Sequence, residues 1–415
     1  MLDFYKLKLN IEKSSNFFLV LAFLFLPFSL AAHNASLALT VLTVVVSGAA
    51  WRKREYLQKE PLVWALLALF FLVCVGSFYS LSTWGDALGV NFNKYLKLFF
   101  GVLLIVVFLH KRTREYAFYA FAIGVFFVLI STYLNIWFEV PWSMTKNQGW
   151  GVDHTVFGNY ITQNIMMSFF VLQCFYLFFL HKNIFIKIFL LVSAVLAAVS
   201  IFYLSNGRTG YVVLIGGVIF YIIFSLPKRW SWLAVVAVIF IISVAFSTSQ
   251  RVQERFDLAK SETQLIFEQH SRGEIPTLTS IGARWYMWMK SLELVRERPV
   301  FGWGLGSHGV KWCEIAPEPE WCQVGDTTPH NQFIFFAVEL GGVGLILFLL
   351  ILASLFWAGW QGGEYRPLMM GFLAIFIGDS MVNASLWNAR EYNFFILVMC
   401  LLYTMIRFQD KNEKK

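Results

Sequence analysis

The chain alternates apolar runs of about twenty residues with short basic loops, and one polar interval, Ser247 to Pro329, interrupts that rhythm. Twelve apolar windows centre near Leu24, Val44, Leu69, Leu103, Gly124, Phe170, Val195, Val218, Val238, Ile346, Ala374 and Leu397. The first two are parted only by a turn near His33 and Asn34, so they read as a hairpin. The pattern predicts an all-α polytopic membrane protein of about 12 transmembrane helices. Residues 1–246 hold helices 1–9, 247–329 form a long helical loop, and 330–415 hold helices 10–12 and a tail.

Inside the interval, Gln250 to His270 carries an amphipathic pattern with Val252, Phe256, Leu258, Leu265 and Phe267 among its apolar positions. A second helix is predicted over Ile281 to Arg296, with Trp285, Trp288, Met289, Leu292 and Val295 as its stripe. Its aromatic content suits the bilayer surface or the mouth of a cavity, although a solvated hairpin would show the same pattern. Arg298, Pro299, Gly302, Gly304 and Gly306 end it. The GWGLG run lacks the lysine and hydroxyl of a phosphate loop, so its glycines read as a tight turn or a close backbone approach to a ligand. In TTPHNQF, Thr327 or Thr328 caps a helix with Pro329 in its first turn, which places His330 and Asn331 at a helix N-terminus. The positive helix end keeps His330 neutral and favours an anion nearby. An interfacial histidine with satisfied hydrogen bonds is the competing reading.

Composition supports this division. The chain is 58% hydrophobic and only 14% charged, far from a soluble domain. The N-terminus, the loops with Arg52, Lys111, Lys182, Lys228 and Arg366, and the tail collect 19 of the 33 lysines and arginines, so both termini are expected in the cytoplasm. Topology thereby accounts for the net charge of +8, and no nucleic-acid partner is implied. The SLAA at Ser29 to Ala32 also fits a cleavable signal peptide, against which stand the long charged leader and the closely following second span. Cys313 and Cys322 flank the turn EIAPEPEW on the non-cytoplasmic side, where a disulfide closing that loop is expected. Two free thiols are the alternative.

Five basic residues stand outside both the cytoplasmic loops and the interval: Lys94, Lys97, Lys146, Arg208 and Arg390. Arg208, in the turn LSNGRTGY with Asn206 beside it, is close to the hydrocarbon, where either a functional charge or a snorkelling one fits. Guanidinium forks match phosphate oxygens, so Arg208 and Arg284 are expected to converge on a pyrophosphate, with Lys94 and Arg390 as weaker candidates. Asp379 lies in an apolar run with Asn383 one helical turn later, and its expected partner is Arg208, Arg284 or His330. A structural salt bridge there is equally consistent. No metal site is expected, since the nearest acidic pair, Glu318 and Glu320, sits on the tip of the Cys313 to Cys322 loop.

SNGRTGYV, GARWYMWMKSLELVRERPVFGWGLGSH and PHNQFIFFAVELGGVGL, in that order, resemble the bacterial O-antigen ligase family, which includes O-antigen polymerases and protein O-oligosaccharyltransferases. The resemblance covers Leu204 to Leu345. It implies an inverting, metal-independent and cofactor-free glycosyltransferase of GT-C-type architecture in the bacterial inner membrane. Its active site would face the periplasm. The implied donor is a glycan on undecaprenyl pyrophosphate, and the implied acceptor a sugar hydroxyl of lipid A-core, both met among membrane lipids. The family's essential arginines map onto Arg208 and Arg284 and its histidine onto His330, while Asp379 matches its acidic residue less clearly. Polymerase and protein-glycosylating relatives share the donor, and a twelve-helix secondary transporter fits the topology as well, although the two halves of the chain differ.

Overall fold

The structure, a computed structural model, describes residues 2–409, so the tail residues Lys411, Lys414 and Lys415 lie outside the described residues. The chain builds α1 (Leu2–Phe25), α2 (Leu30–Ser47), α3 (Ala49–Arg52), α4 (Arg54–Leu57), α5 (Pro61–Ser77), α6 (Ala87–Val107), α7 (Lys111–Leu134), α8 (Tyr160–Leu180) and α9 (Ile184–Tyr203). It continues with α10 (Arg208–Ser225), α11 (Lys228–Thr248), α12 (Gln250–Ser271), α13 (Ser280–Glu297), α14 (Ser307–Ile315), α15 (Pro319–Gly325), α16 (Gln332–Trp360), α17 (Arg366–Val382) and α18 (Ala389–Arg407). No strand is present among the described residues.

All twelve apolar windows fall in helices. Eight of these helices, α2, α6, α7, α8, α9, α10, α16 and α18, are long and apolar enough to cross a bilayer, which makes this a multi-pass membrane protein. Side-chain oxygens at Ser29, Asn159, Asn183, Ser249, Thr279 and Asn331 cap helix starts, and Pro61 occupies the first turn of α5. α18 is apolar beyond its first turn and buried along nearly its whole length among α6, α7, α8 and α16. Its Phe394 and Phe395 join Phe169, Phe372 and Phe376 in a cluster of ring contacts, the closest between Phe376 and Phe395 at 4.4 Å. By contrast α9 exposes Phe185, Phe189, Val192 and Val195 on the outside of the bundle, as a lipid-facing helix would.

The amphipathic expectations for the interval are met in extent and corrected in face. α12 buries Glu262 and Ile266, whereas Phe256, Leu258, Leu265 and Phe267 are exposed. α13 buries Ala283, Met287, Ser291 and Leu294, and leaves Met289 and Leu292 exposed. Both helices carry apolar residues on two faces, and packing of α13 on α12 and α16 selects the face that the periodicity left open.

The glycine run has a structural duty. α16 breaks at Gly341, where φ is +67°. Two carbonyls before the break accept from the strap, Val338 from the Trp303 amide and Glu339 from the Gly304 amide, both at 2.9 Å. Two amides beyond it donate back, Gly342 to Pro299 at 2.8 Å and Val343 to Val300 at 3.2 Å. Residues 299–304 thus restore the bonds that the kink removes. The close approach expected of the glycines is to α16 and not to a ligand, since the 302–306 amides all bond protein oxygens. A Cβ at Gly341 would sit 2.2 Å from the Val300 carbonyl oxygen. Gly341→Ala is therefore expected to cost at least about 2 kcal/mol, seen as a lowered melting temperature of the purified protein in detergent.

Candidate functional site

The turns at one end of the bundle bring together residues from α8, α10, α12, α13, α17 and α18. Arg208 begins α10, and its Nη2 pairs with Glu262 of α12 at 3.5 Å. Its Nη1 is buried without a hydrogen-bond partner, a donor aimed into the protein with nothing to bind. Gly207 permits this placement, because a Cβ there would lie 2.8 Å from the Tyr160 ring. Asn206 accepts from Arg255 at 3.1 Å, tying the turn to α12, and Glu262 also accepts from the Ile281 amide at the start of α13.

One turn into α13 stands Arg284, half-buried and without an ion-pair partner among the described residues. Burial, followed by the like charge of Arg208, pushes it below the usual arginine range, while Tyr160, Glu262 and Asp379 pull the other way. The two guanidinium groups are thus close enough to repel, and only Arg208 is directly paired with a carboxylate.

His330 faces the same field. It precedes the helix, since Asn331 is the true cap and accepts from the Ile334 amide at 3.0 Å. The expected threonine cap is corrected for that reason: asparagine caps as well, and Thr328 instead accepts from the His330 amide. His330 has φ +51°, the sole non-glycine in the left-handed region among the described residues. Trp288 of α13 holds the turn by donating to the Pro329 carbonyl at 2.8 Å, and Asn331 donates to Met381 at the end of α17. Burial, then the charge of Arg284, pushes the imidazole down to about 4, while Asn383 acts weakly in the opposite direction. The expected neutral state thus arises mainly from desolvation.

Asp379 is buried near the end of α17, accepts from Ser385 at 2.6 Å through Oδ2, and has an unpartnered Oδ1. It senses Arg284 without a direct ion pair. Asn383 is the C-cap of α17 and donates to Glu391 of α18 at 2.8 Å. Glu391 also accepts from Thr162 at 2.6 Å and Asn388 at 3.0 Å. Sequence reasoning missed Glu391, Glu262, Tyr160 and Trp288. A carboxylate opening the apolar run REYNFF was the available signal for Glu391, whereas Glu262 looked like one solvated acid among several.

Lys94 and Arg390 have other direct partners. Lys94 Nζ lies 3.1 Å over the Trp387 ring, and Arg390 donates to the Pro27 carbonyl at 3.2 Å. Cys313 and Cys322 form a disulfide between α14 and α15, with Cα atoms 4.6 Å apart and Glu318 and Glu320 exposed on the loop it closes. Among the described residues no group of three or more His, Cys, Asp or Glu gathers as a metal cradle. Below the Arg208 turn, an apolar cavity of about 480 Å³ opens between α8, α9, α10 and α11, lined by Phe175, Ala198, Phe202, Leu214, Val218 and Val244.

Part of this site falls within a region that matches a known family. Residues 192–349 match the family described as O-antigen ligase. The chain is also 29% identical over 175 residues, 40% of its length, to an uncharacterized protein of Haemophilus influenzae, and that match spans 42% of the relative. Arg208, Arg284 and His330 all lie in the region that is similar to the O-antigen ligase family.

Proposed function

We propose that the protein transfers a glycan from undecaprenyl pyrophosphate to a sugar hydroxyl of lipid A-core, with inversion and without a metal ion, at the periplasmic face of the inner membrane. In this reading twelve helices cross the membrane, both termini are cytoplasmic, and α12 to α15 cover the sugars. The observation that carries the reading is the buried, unpartnered Nη1 of Arg208 beside the half-buried Arg284 and the neutral His330.

The chemistry follows from those groups. The acceptor oxygen attacks the anomeric carbon while the bond from that carbon to the phosphate oxygen breaks, and the hydroxyl proton passes to His330. Arg208 and Arg284 bind the pyrophosphate and stabilise the charge it gains on leaving. Asp379 and Asn383 position the surrounding groups. The cavity beneath Arg208 suits the first isoprene units of the lipid, since its lining is apolar and it lies next to the arginine turn.

A pH profile follows from His330. The imidazole must be neutral to accept a proton, so activity is retained above its pKa and lost as pH falls through it. kcat/KM is expected to stay level from pH 8 to about pH 5 and to fall as His330 protonates near pH 4. An acid limb near 6.5 would place the base elsewhere.

The identity of the acceptor is tested by supplying the purified protein with an undecaprenyl-pyrophosphate glycan and chelator, together with lipid A-core, a growing glycan or a pilin. Product on lipid A-core supports the ligase reading. Product on either of the others keeps the donor chemistry and moves the acceptor. Solute flux in vesicles without transfer would sink the enzyme reading in favour of a transporter.

A further inference from the structure

A second group of cations lies on the other side of the first turn of α18. Successive helix residues point about 100° apart. Glu391 therefore faces Thr162, Asn383 and the Asp379 side, while Arg390 faces Pro27 and Gly158. Lys97 of α6 donates to the Ala389 carbonyl at 3.2 Å and lies 5.0 Å over the Tyr392 ring. Lys94, one turn earlier, sits over Trp387. Lys97 is about 15 Å along α6 from Ala87, so this cluster is recessed below the loop surface.

No carboxylate forms an ion pair with Lys94, Lys97 or Arg390 among the described residues. Glu339 attracts Lys94 at longer range; its Oε1 is taken by Asn91 and the Gly306 amide and its Oε2 is unpartnered, so it offsets Lys94 in part and leaves Lys97 and Arg390 without a carboxylate. Recessed cations in a membrane protein ordinarily have a counter-charge. Two buried acceptors beside them are also unpartnered. His33 donates from Nδ1 to the Ala22 carbonyl at 2.8 Å, which leaves Nε2 as an acceptor that senses the charges of Lys97 and Arg390. Asn393 donates to Asn34 at 3.2 Å and leaves its Oδ1 unbonded. Free cations call for an anion, and free acceptors call for hydroxyl donors.

We propose that Lys94, Lys97 and Arg390, with His33 and Asn393, form a second anion site that takes a phosphate borne on a hydroxyl-rich group, separate from the Arg208 and Arg284 site. The source we favour is a sugar phosphate of the acceptor, an assignment that rests on the proposed function, whereas the site itself does not. Only the first turn of α18 separates the two sites. A phosphate anchored here would present a neighbouring sugar hydroxyl toward His330.

Native mass spectrometry of the purified full chain tests this, with lipid A-core, the same acceptor stripped of its phosphates, and phosphatidylglycerol as probes. The double variant Lys97→Met with Arg390→Gln is expected to bind phosphorylated lipid A-core about tenfold or more weakly, and the stripped acceptor as wild type does. Loss confined to phosphatidylglycerol would support the site with the membrane as its source. Unchanged binding of both phosphate-bearing probes, or equal loss with the stripped acceptor, would overturn it. Should the double variant fail to fold, Lys94→Gln, which removes a cation making no backbone bond, reads the same selectivity. Phosphate-selective binding without transfer to any acceptor would reject the proposed function and leave the site standing.

Discussion

Replacing Arg284 with alanine lowers glycan transfer by about a thousandfold, with wild-type folding, on the proposed mechanism. The guanidinium is half-buried, has no ion-pair partner among the described residues, and shares its surroundings with Arg208. Such a group contributes little to holding the fold together, so its loss should be felt mainly by an anionic ligand. A single donor aimed at developing charge accounts for about 10²–10³ in rate, and an arginine on a departing phosphate for about 10³ or more. Arg284→Lys keeps the charge without the fork and should recover only part of the activity. The measurement is initial-rate transfer beside a melting curve. A variant melting as wild type does but transferring at a tenth of its rate or better would remove Arg284 from the proposed chemistry.

His330→Ala is expected to slow transfer by about 10²–10⁴-fold while leaving donor affinity close to that of wild type. The imidazole is neutral and lies in the field of Arg284, while the proposed mechanism assigns the pyrophosphate to the two arginines. Its positive φ stores strain at a position fixed from both sides by Trp288 and Asn331, and such strain persists where the surroundings over-determine the conformation. His330→Gln can still hydrogen-bond but cannot take a proton at neutral pH. It separates a base from a positioning residue: inactivity points to proton transfer, and substantial activity to orientation alone.

Much of this architecture was legible in the chain because membrane helices advertise themselves through long apolar runs, and every one of the twelve windows fell in a helix. The three residues of the proposed site stand out for different reasons: Arg208 because it lies so close to the hydrocarbon, and Arg284 and His330 because the family resemblance maps onto them. Faces were harder. α12 and α13 carry apolar residues on more than one side, so periodicity could not decide which side meets the bundle. The duty of Gly341 was hidden as well, because it depends on carbonyls contributed by residues 299 and 300. Lys94 and Arg390 were grouped with the arginines by charge alone. Direct partners are a tertiary property: α6 sets Lys94 over Trp387, and α18 turns Arg390 toward Pro27.

The most direct test of a single site built from Arg208, Arg284 and His330 is single-turnover transfer from bound undecaprenyl-pyrophosphate glycan to lipid A-core, read together with donor binding. The account predicts that Arg208→Ala and Arg284→Ala lose both donor affinity and turnover, whereas His330→Ala binds donor as wild type does and fails to turn it over. Wild-type turnover in His330→Ala, or undiminished donor binding when both arginines are replaced, would contradict it.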